Sequence, residues 1–212
     1  MDDPDRRRRE ADLASYYDSE LHVRLGRGLP QERVARREAF LDLLRRERRR
    51  SVLEVGSGPG RDGQAIASAG FSYTGVDLAP ESVARCRSVG LDVFVASVLE
   101  LPFEDRAFDA GWTMSTLLHV ADADLDSALA ELVRVLRPGA PLAVGLWGAA
   151  TAHEGPWGDD APFGPQRFFS IRTDEVVRAA LGRHGSLEQW DTWTSADEVH
   201  YQWAVLRTAA SA

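Results

Sequence analysis

The sequence predicts a doubly wound α/β domain: a mostly parallel, seven-stranded sheet with helices on both faces and a helical cap at the N-terminus. Three observations carry that expectation. Short apolar runs alternate with amphipathic stretches five times between Ser51 and Trp147. The first run ends in three alternating glycines, Gly56, Gly58 and Gly60. Two more strand-like stretches, near 187–193 and 200–207, close the chain. Alternating strands and helices give a parallel sheet covered on both faces, and right-handed crossovers leave few topologies.

Each element has a local reason. Leu13, Tyr16 and Tyr17 recur at helical spacing, and a second helix near Pro30 carries Val34, Leu41 and Leu44 on one face. That helix ends in Arg45, Arg46, Arg48, Arg49 and Arg50, cations that the helix dipole favours there. Val52–Val55 reads as the first strand. The helix after it runs through Ala65, Ile66 and Ala69 and stops at Gly70. Tyr73–Val76 is the second strand, and a helix opens at Pro80. Leu91–Val95 and Phe108–Trp112 are the third and fourth strands. A long helix follows Asp122, a plausible N-cap, with Leu125, Leu129, Leu132 and Leu136 on one stripe up to Pro138-Gly139. Leu142–Trp147 is the fifth strand. Residues 148–165, rich in Gly, Pro and Ala, read as a long binding loop. A last helix spans about 173–181. With no repeat and no linker, 1–212 reads as one domain: a helical cap (1–50), a core (51–147) and a C-terminal part (148–212).

Composition narrows the function. The 212 residues are 44% hydrophobic and 27% charged, enough for a sizeable core. The net charge of −8 argues against a nucleic-acid coat protein. The charge is uneven: residues 1–50 hold 14 Arg against 11 acids. The single Cys86 implies no internal disulfide, no stretch reads as a secretory signal or membrane span, and the cytoplasm is the default. No His or Cys pair stands at ligand spacing, so no metal is expected.

The chemistry-bearing segment is Leu53-Glu54-Val55-Gly56-Ser57-Gly58-Pro59-Gly60. A buried strand running into such a turn lets backbone approach a ligand closely, at the carboxyl end of the sheet. Asp77 ends the second strand, where a carboxylate accepts both hydroxyls of a ribose. Arg61 stands where a dinucleotide fingerprint starting at Gly56 needs its third Gly. Glu54 would repel a pyrophosphate and welcome an ammonium. A shifted match from Gly58 to Gly63 contains Pro59 and starts inside the helix.

From Ser51 to Trp147 the chain resembles the class I S-adenosylmethionine-dependent methyltransferases, in their small-molecule and ubiquinone-type branch. Four motifs carry this, in order: LEVGSGPG, GVDLAPESV, VLELPFEDRAFD and RVLRPG. The resemblance implies a Rossmann-like methyltransferase fold, S-adenosylmethionine as cofactor and S-adenosylhomocysteine as product. It implies that Gly56, Ser57, Gly58 and Gly60 pass under the cofactor, Glu54 supports its amino group and Asp77 holds its ribose. Leu78, Val98 and Leu99 would touch the adenine, and the backbone near Thr113 would face the methionine end. Ser97 stands where the family often has an acid that accepts from the adenine amino group, and Ala140 where it prefers Gly.

Methyl transfer from a sulfonium is an in-line displacement in which alignment and a dry site do most of the work. If the acceptor must lose a proton, His119 is the first candidate base, by position and by the ordinary range of imidazole. Tyr16 and Tyr17, on a helix that lies over the cofactor in similar enzymes, are the other catalytic candidates. Trp147, His153, Trp157, Arg167 and Phe168 are the expected acceptor contacts: rings to stack on a flat substrate, and a guanidinium to pair an anionic group. Each of these residues also has a plain packing explanation, and His200 and Tyr201 read as structural. The expected partner is a small molecule. The rivals are an RNA or protein methyltransferase using the N-terminal Arg clusters, a nucleotide-binding oxidoreductase, and a non-catalytic nucleotide-binding module. The sequence is silent on the acceptor, on the atom methylated and on oligomeric state.

Overall fold

A computed structural model describes residues 3–157, 162–194 and 198–210. The expected loop 148–165 therefore lies outside the described residues at 158–161. The chain divides into two compact units, Met1–Ser97 with Gly158–Arg167, and Val98–Trp157 with Phe168–Ala212.

In the first unit, α1 (Pro4–Gly26) and α2 (Gln31–Arg46) precede β1 (Ser51–Val55), α3 (Arg61–Ser68), β2 (Ser72–Asp77), α4 (Pro80–Ser88) and β3 (Val93–Val95). Asp3 caps α1 by accepting from Asp5 N, with Pro4 at the first helical position. β1 pairs with β2 and β2 with β3, all parallel. Helices α3 and α4 pack on β2, and α1 packs on α4. Val52, Leu53, Ile66, Val83, Leu41 and Leu44 are buried.

The second unit holds β4 (Ala110–Met114), a 3₁₀ turn (Leu117–His119), α5 (Asp122–Val135), β5 (Pro141–Gly148), β6 (His153–Trp157), most of β7 (Arg167–Ile171), α6 (Asp174–Gly182), β8 (Gly185–Thr194) and β9 (His200–Thr208). β4 and β5 are parallel, whereas β9 runs antiparallel to both β5 and β8. The sheet has seven strands in the order β3-β2-β1-β4-β5-β9-β8, as the alternation and the two closing strands predict.

Three expectations need correction. The stretch 148–165 is not all loop, because β6 pairs with β7 in a separate two-stranded sheet, where the His153 and Trp157 rings pack edge to face. The fourth strand spans Ala110–Met114, two residues later than expected, and Phe108 makes only an isolated bridge to Leu136. Asp122 is the first residue of α5 and Ala121 its N-cap. The Asp122 carboxylate is instead engaged by Ser170 and Arg172.

Candidate cofactor site and acceptor residues

The glycine turn is fixed to the second strand before it bends. Val55 sits beside Val76, and the N–H groups of Gly56 and Ser57 both donate to Val76 O at 2.9 and 3.0 Å. Gly56, Gly58 and Gly60 all have positive φ, which glycine alone adopts cheaply. A Cβ on Gly60 would also lie 2.8 Å from Cys86 Sγ and 2.9 Å from Leu91 Cδ1. Asp77 holds the turn from the other side. Its Oδ2 accepts from Gly58 N at 2.7 Å and its Oδ1 from Ala79 N at 2.9 Å. Burial raises the Asp77 carboxyl above its usual range, opposed by those two N–H donors. Below the turn, Cys86 Sγ donates to Gly58 O at 3.3 Å, and burial pushes the thiol up to about 11.

Glu54 is 1% exposed and accepts a 2.6 Å hydrogen bond from Tyr73 Oη. Burial, and then the charge of Asp62, holds its carboxyl well above the ordinary range. Tyr73 Oη occupies the space that Cβ atoms would need at Gly63 and Gly75. Glycine at those two positions is thus what lets the phenol reach Glu54.

Helix α1 contributes residues that the sequence reading missed. Ser97 Oγ donates to Glu10 Oε1 at 2.6 Å, which brings a carboxylate to the position where an acid was noted as absent. Arg24 lies 4.7 Å over the Tyr17 ring, and its Nη2 is 3.5 Å from where a Gly58 Cβ would stand. Glu10, Tyr17 and Arg24 recur every seven residues, so they share one helical face. That spacing is the signal that could have found them. Asp18 accepts from Glu81 N, and Arg61 Nη2 donates to the carbonyls of Arg24 and Leu25, tying the helix down. Tyr16 is buried against Phe163, with Arg167 4.4 Å over its ring. Burial raises the Tyr17 phenol above its ordinary value despite Arg24 and Arg167, so it keeps its proton and serves as a hydrogen-bond donor rather than a base. Leu78 is half-buried directly after Asp77.

In the second unit Val98 is buried and Leu99 half-buried. Thr113 is buried in β4, and the strand is followed directly by Ser115, whose φ of +56° is a strained value for serine. Ser115 is held there by Gly145 O at 2.7 Å and by the Tyr201 hydroxyl at 3.2 Å. The 3₁₀ turn follows and carries His119, whose Nδ1 is 2.9 Å from Phe168 O. A carbonyl only accepts, so Nδ1 donates, and in the neutral ring Nε2 holds the lone pair. Phe169 is 1% exposed and packs on His119 at 4.5 Å, stacks with Trp147 at 5.8 Å and meets Trp157 at 6.2 Å. Of the expected contacts, Phe168 thus supplies a carbonyl, and the packed ring belongs to Phe169. His200 pairs with Asp174, and Tyr201 stacks on Trp193.

These residues fit a nucleoside with a vicinal diol. In the first unit, Asp77 is a carboxylate acceptor pinned by two N–H groups.

Residues 52–139 match the family described as a methyltransferase domain. A malonyl-[acyl-carrier protein] O-methyltransferase from Salmonella typhimurium is 35% identical over 108 residues, 50% of this chain and 42% of that protein. The aligned region therefore spans under half the length of this curated relative. Among solved structures, a 1,6-didemethyltoxoflavin N1-methyltransferase from Burkholderia thailandensis, with S-adenosylhomocysteine bound, superposes with a TM-score of 0.73 at 24% identity, covering 99% of this chain and 92% of that one. The N-methyltransferase NodS from Bradyrhizobium japonicum, also with S-adenosylhomocysteine, superposes at 0.64 and 20% identity, covering 92% and 98%. Both structural likenesses establish the fold. Residues 52–139 thus match a methyltransferase domain, and the chain has the fold of these two solved methyltransferases.

Proposed function

We propose that this chain, working as one methyltransferase domain over 1–212, transfers a methyl group from S-adenosylmethionine to a flat small-molecule acceptor. The observation that carries the reading is the glycine turn locked to Asp77 through Gly58 N, inside the matched methyltransferase segment. The cofactor, when bound, supplies an activated methyl group on a sulfonium, so no metal is needed to create the leaving group. Asp77 accepts from the ribose hydroxyls, and Gly56, Ser57, Gly58 and Gly60 present backbone to the cofactor. Glu10, steadied by Ser97, accepts from the adenine amino group, while Leu78, Val98 and Leu99 pack on the base. Glu54 acts through the shape of the turn, since its carboxyl is turned to Tyr73. Tyr16 and Tyr17 exclude water and orient the acceptor, with Arg167 pairing any anionic substituent. Trp147, Trp157, His153 and the Phe168–Phe169 segment offer aromatic faces, and His119 Nε2 takes the acceptor's proton.

A small molecule is favoured over RNA because many of the N-terminal arginines are engaged within the chain. Arg33 and Arg37 pair with Asp62, Arg45 with Asp42, and Arg49 with Glu47. A flat heteroaromatic acceptor is supported by the 1,6-didemethyltoxoflavin bound in the Burkholderia thailandensis neighbour and by the five clustered rings of His119, Trp147, His153, Trp157 and Phe169. Among the described residues no helix is long and apolar enough to cross a membrane, which is compatible with a cytoplasmic setting. The test is transfer of label from methyl-labelled S-adenosylmethionine to a panel of hydroxylated and N–H heteroaromatics. Label in a small molecule that falls at least about 10²-fold in His119→Asn supports the reading. Label appearing in RNA or protein alone contradicts it.

A further inference from the structure

We propose that Arg172 is the positioning residue for His119: it holds the 3₁₀ turn so that the imidazole keeps its proton on Nδ1 and its lone pair on Nε2. The proposal rests on the methyl-transfer reading only for what His119 does, not for how the ring is held.

The observation is a buried cation in an unusual place. Arg172 is 1% exposed, just beyond β7. Its Nη1 donates to Leu117 O at 2.9 Å and its Nη2 to Val120 O at 2.6 Å, the carbonyls at the start of the turn that carries His119 and just after it. Its Nε donates to Asp122 Oδ1 at 2.7 Å, and Ser170 Oγ donates to the same oxygen at 2.6 Å. Asp122 is 52% exposed and needs no buried partner to be solvated. Burying a guanidinium is costly, and this one is spent on backbone carbonyls of the turn. Arg172 is itself fixed, because its carbonyl accepts from Gln202 Nε2 at 3.0 Å and from Ala149 N at 3.2 Å.

The segment 168–172 then makes three contacts with the turn and with the start of the helix that follows it. From Phe168 to Arg172 alternate residues face them: the Phe168 carbonyl on His119 Nδ1, the Ser170 hydroxyl on Asp122, and the Arg172 fork across Leu117 and Val120. A 3₁₀ turn of three residues has little internal hydrogen bonding to hold its shape. The rigid five-donor fork of arginine suits this task, and the point charge of lysine cannot span two carbonyls and a carboxylate.

The experiment uses the full chain, ¹⁵N-labelled at histidine, with long-range ¹H–¹⁵N correlation at a pH where the ring is neutral. His119→Asn identifies the His119 signals among the five histidines. The wild type is expected to show His119 as the pure Nδ1–H tautomer. Arg172→Lys is expected to collapse that signature to averaged tautomers while the other four rings keep their shifts. Asp122→Asn, which leaves Arg172 in place and alters a half-exposed side chain, provides a folded variant if Arg172→Lys does not fold, and is expected to mix the tautomers in part. An Nε2–H tautomer in the wild type overturns the proposal. So does an unchanged Nδ1–H tautomer in a folded Arg172→Lys or, where that variant does not fold, in Asp122→Asn. None of these readouts involves the cofactor, so loss of S-adenosylhomocysteine binding would sink the functional reading and leave this result standing.

Discussion

Asp62→Asn tests how the helical cap supports the glycine turn. Asp62 lies in the first turn of α3, the helix that starts directly after Gly60, and its side chain is fully buried. Oδ2 accepts from Arg33 Nε at 2.8 Å and from Nη2 at 2.5 Å, and Oδ1 accepts from Arg37 Nη1 at 2.9 Å. The arginines, 21% and 10% exposed, come from α2. Asparagine keeps the shape, but it removes the charge and turns an NH₂ toward a guanidinium. Breaking a buried, hydrogen-bonded ion pair costs about 3–5 kcal/mol. For a chain of this size that is a fall in Tm of roughly 6–20 °C. One effect opposes it: Asp62 pushes up the Glu54 carboxyl, so its removal eases Glu54. Glu54 is already bonded to Tyr73, and that relief is smaller than the loss of the anionic charge from all three contacts together with the acceptor oxygen that becomes NH₂. Thermal and urea melts measure the sum. A double variant with Arg37→Met should lose less than the two single variants added together. If Asp62→Asn costs under about 1 kcal/mol, the value of an exposed pair, the clamp reasoning is refuted.

Three further outcomes follow from the same geometry. Gly60→Ala combines a φ of +82° with a Cβ 2.8 Å from Cys86 Sγ, so it should cost at least about 1–2 kcal/mol and weaken cofactor binding; a melt and a titration equal to wild type would contradict this. Glu10→Gln should weaken S-adenosylhomocysteine several-fold while barely changing Tm. Its discrimination against the inosine analogue, which lacks the amino group, should shrink, and unaltered discrimination removes Glu10 from the site. For Glu54 the folded carboxyl binds its proton more tightly than the unfolded one, near 4.3. Its contribution to stability is therefore complete below that value and is lost as pH rises toward the raised folded value. Glu54→Gln, which still accepts from Tyr73, should flatten the fall in Tm across that window, and parallel pH profiles for the two proteins would dismiss the assignment.

The strands and helices were legible because each has its own period and stop signal. Val52–Val55 into Gly56, Tyr73–Val76 into Asp77, and the Leu125 stripe ending at Pro138 are local statements that tertiary packing did not override. β6 was not legible. His153–Trp157 contains Gly155 and Pro156, and it becomes a strand only because β7 lies beside it. Asp122 looked like a cap because caps favour Asp, but a buried Arg172 fifty residues later claims its carboxylate. The site divided in the same way. Gly56, Gly58, Gly60 and Asp77 announce themselves by backbone need and strand position. Glu10, Arg172 and Phe169 act through partners 87, 50–55 and 50 residues away in sequence, and no window along the chain contains both ends of such a contact.

The most direct test of the central reading is calorimetric titration of the purified chain with S-adenosylhomocysteine, with NAD in parallel and Asp77→Ala as control. Asp77 accepts from Gly58 N in the turn and from Ala79 N at the start of α4, besides the proposed ribose contacts, so its loss should cost about 3 kcal/mol or more, over 10²-fold in Kd. Micromolar binding of S-adenosylhomocysteine, no heat with NAD, and loss of binding in the variant are the predicted results. Binding of NAD alone, or no binding of either, would contradict the account and make the glycine turn a dinucleotide or vestigial site.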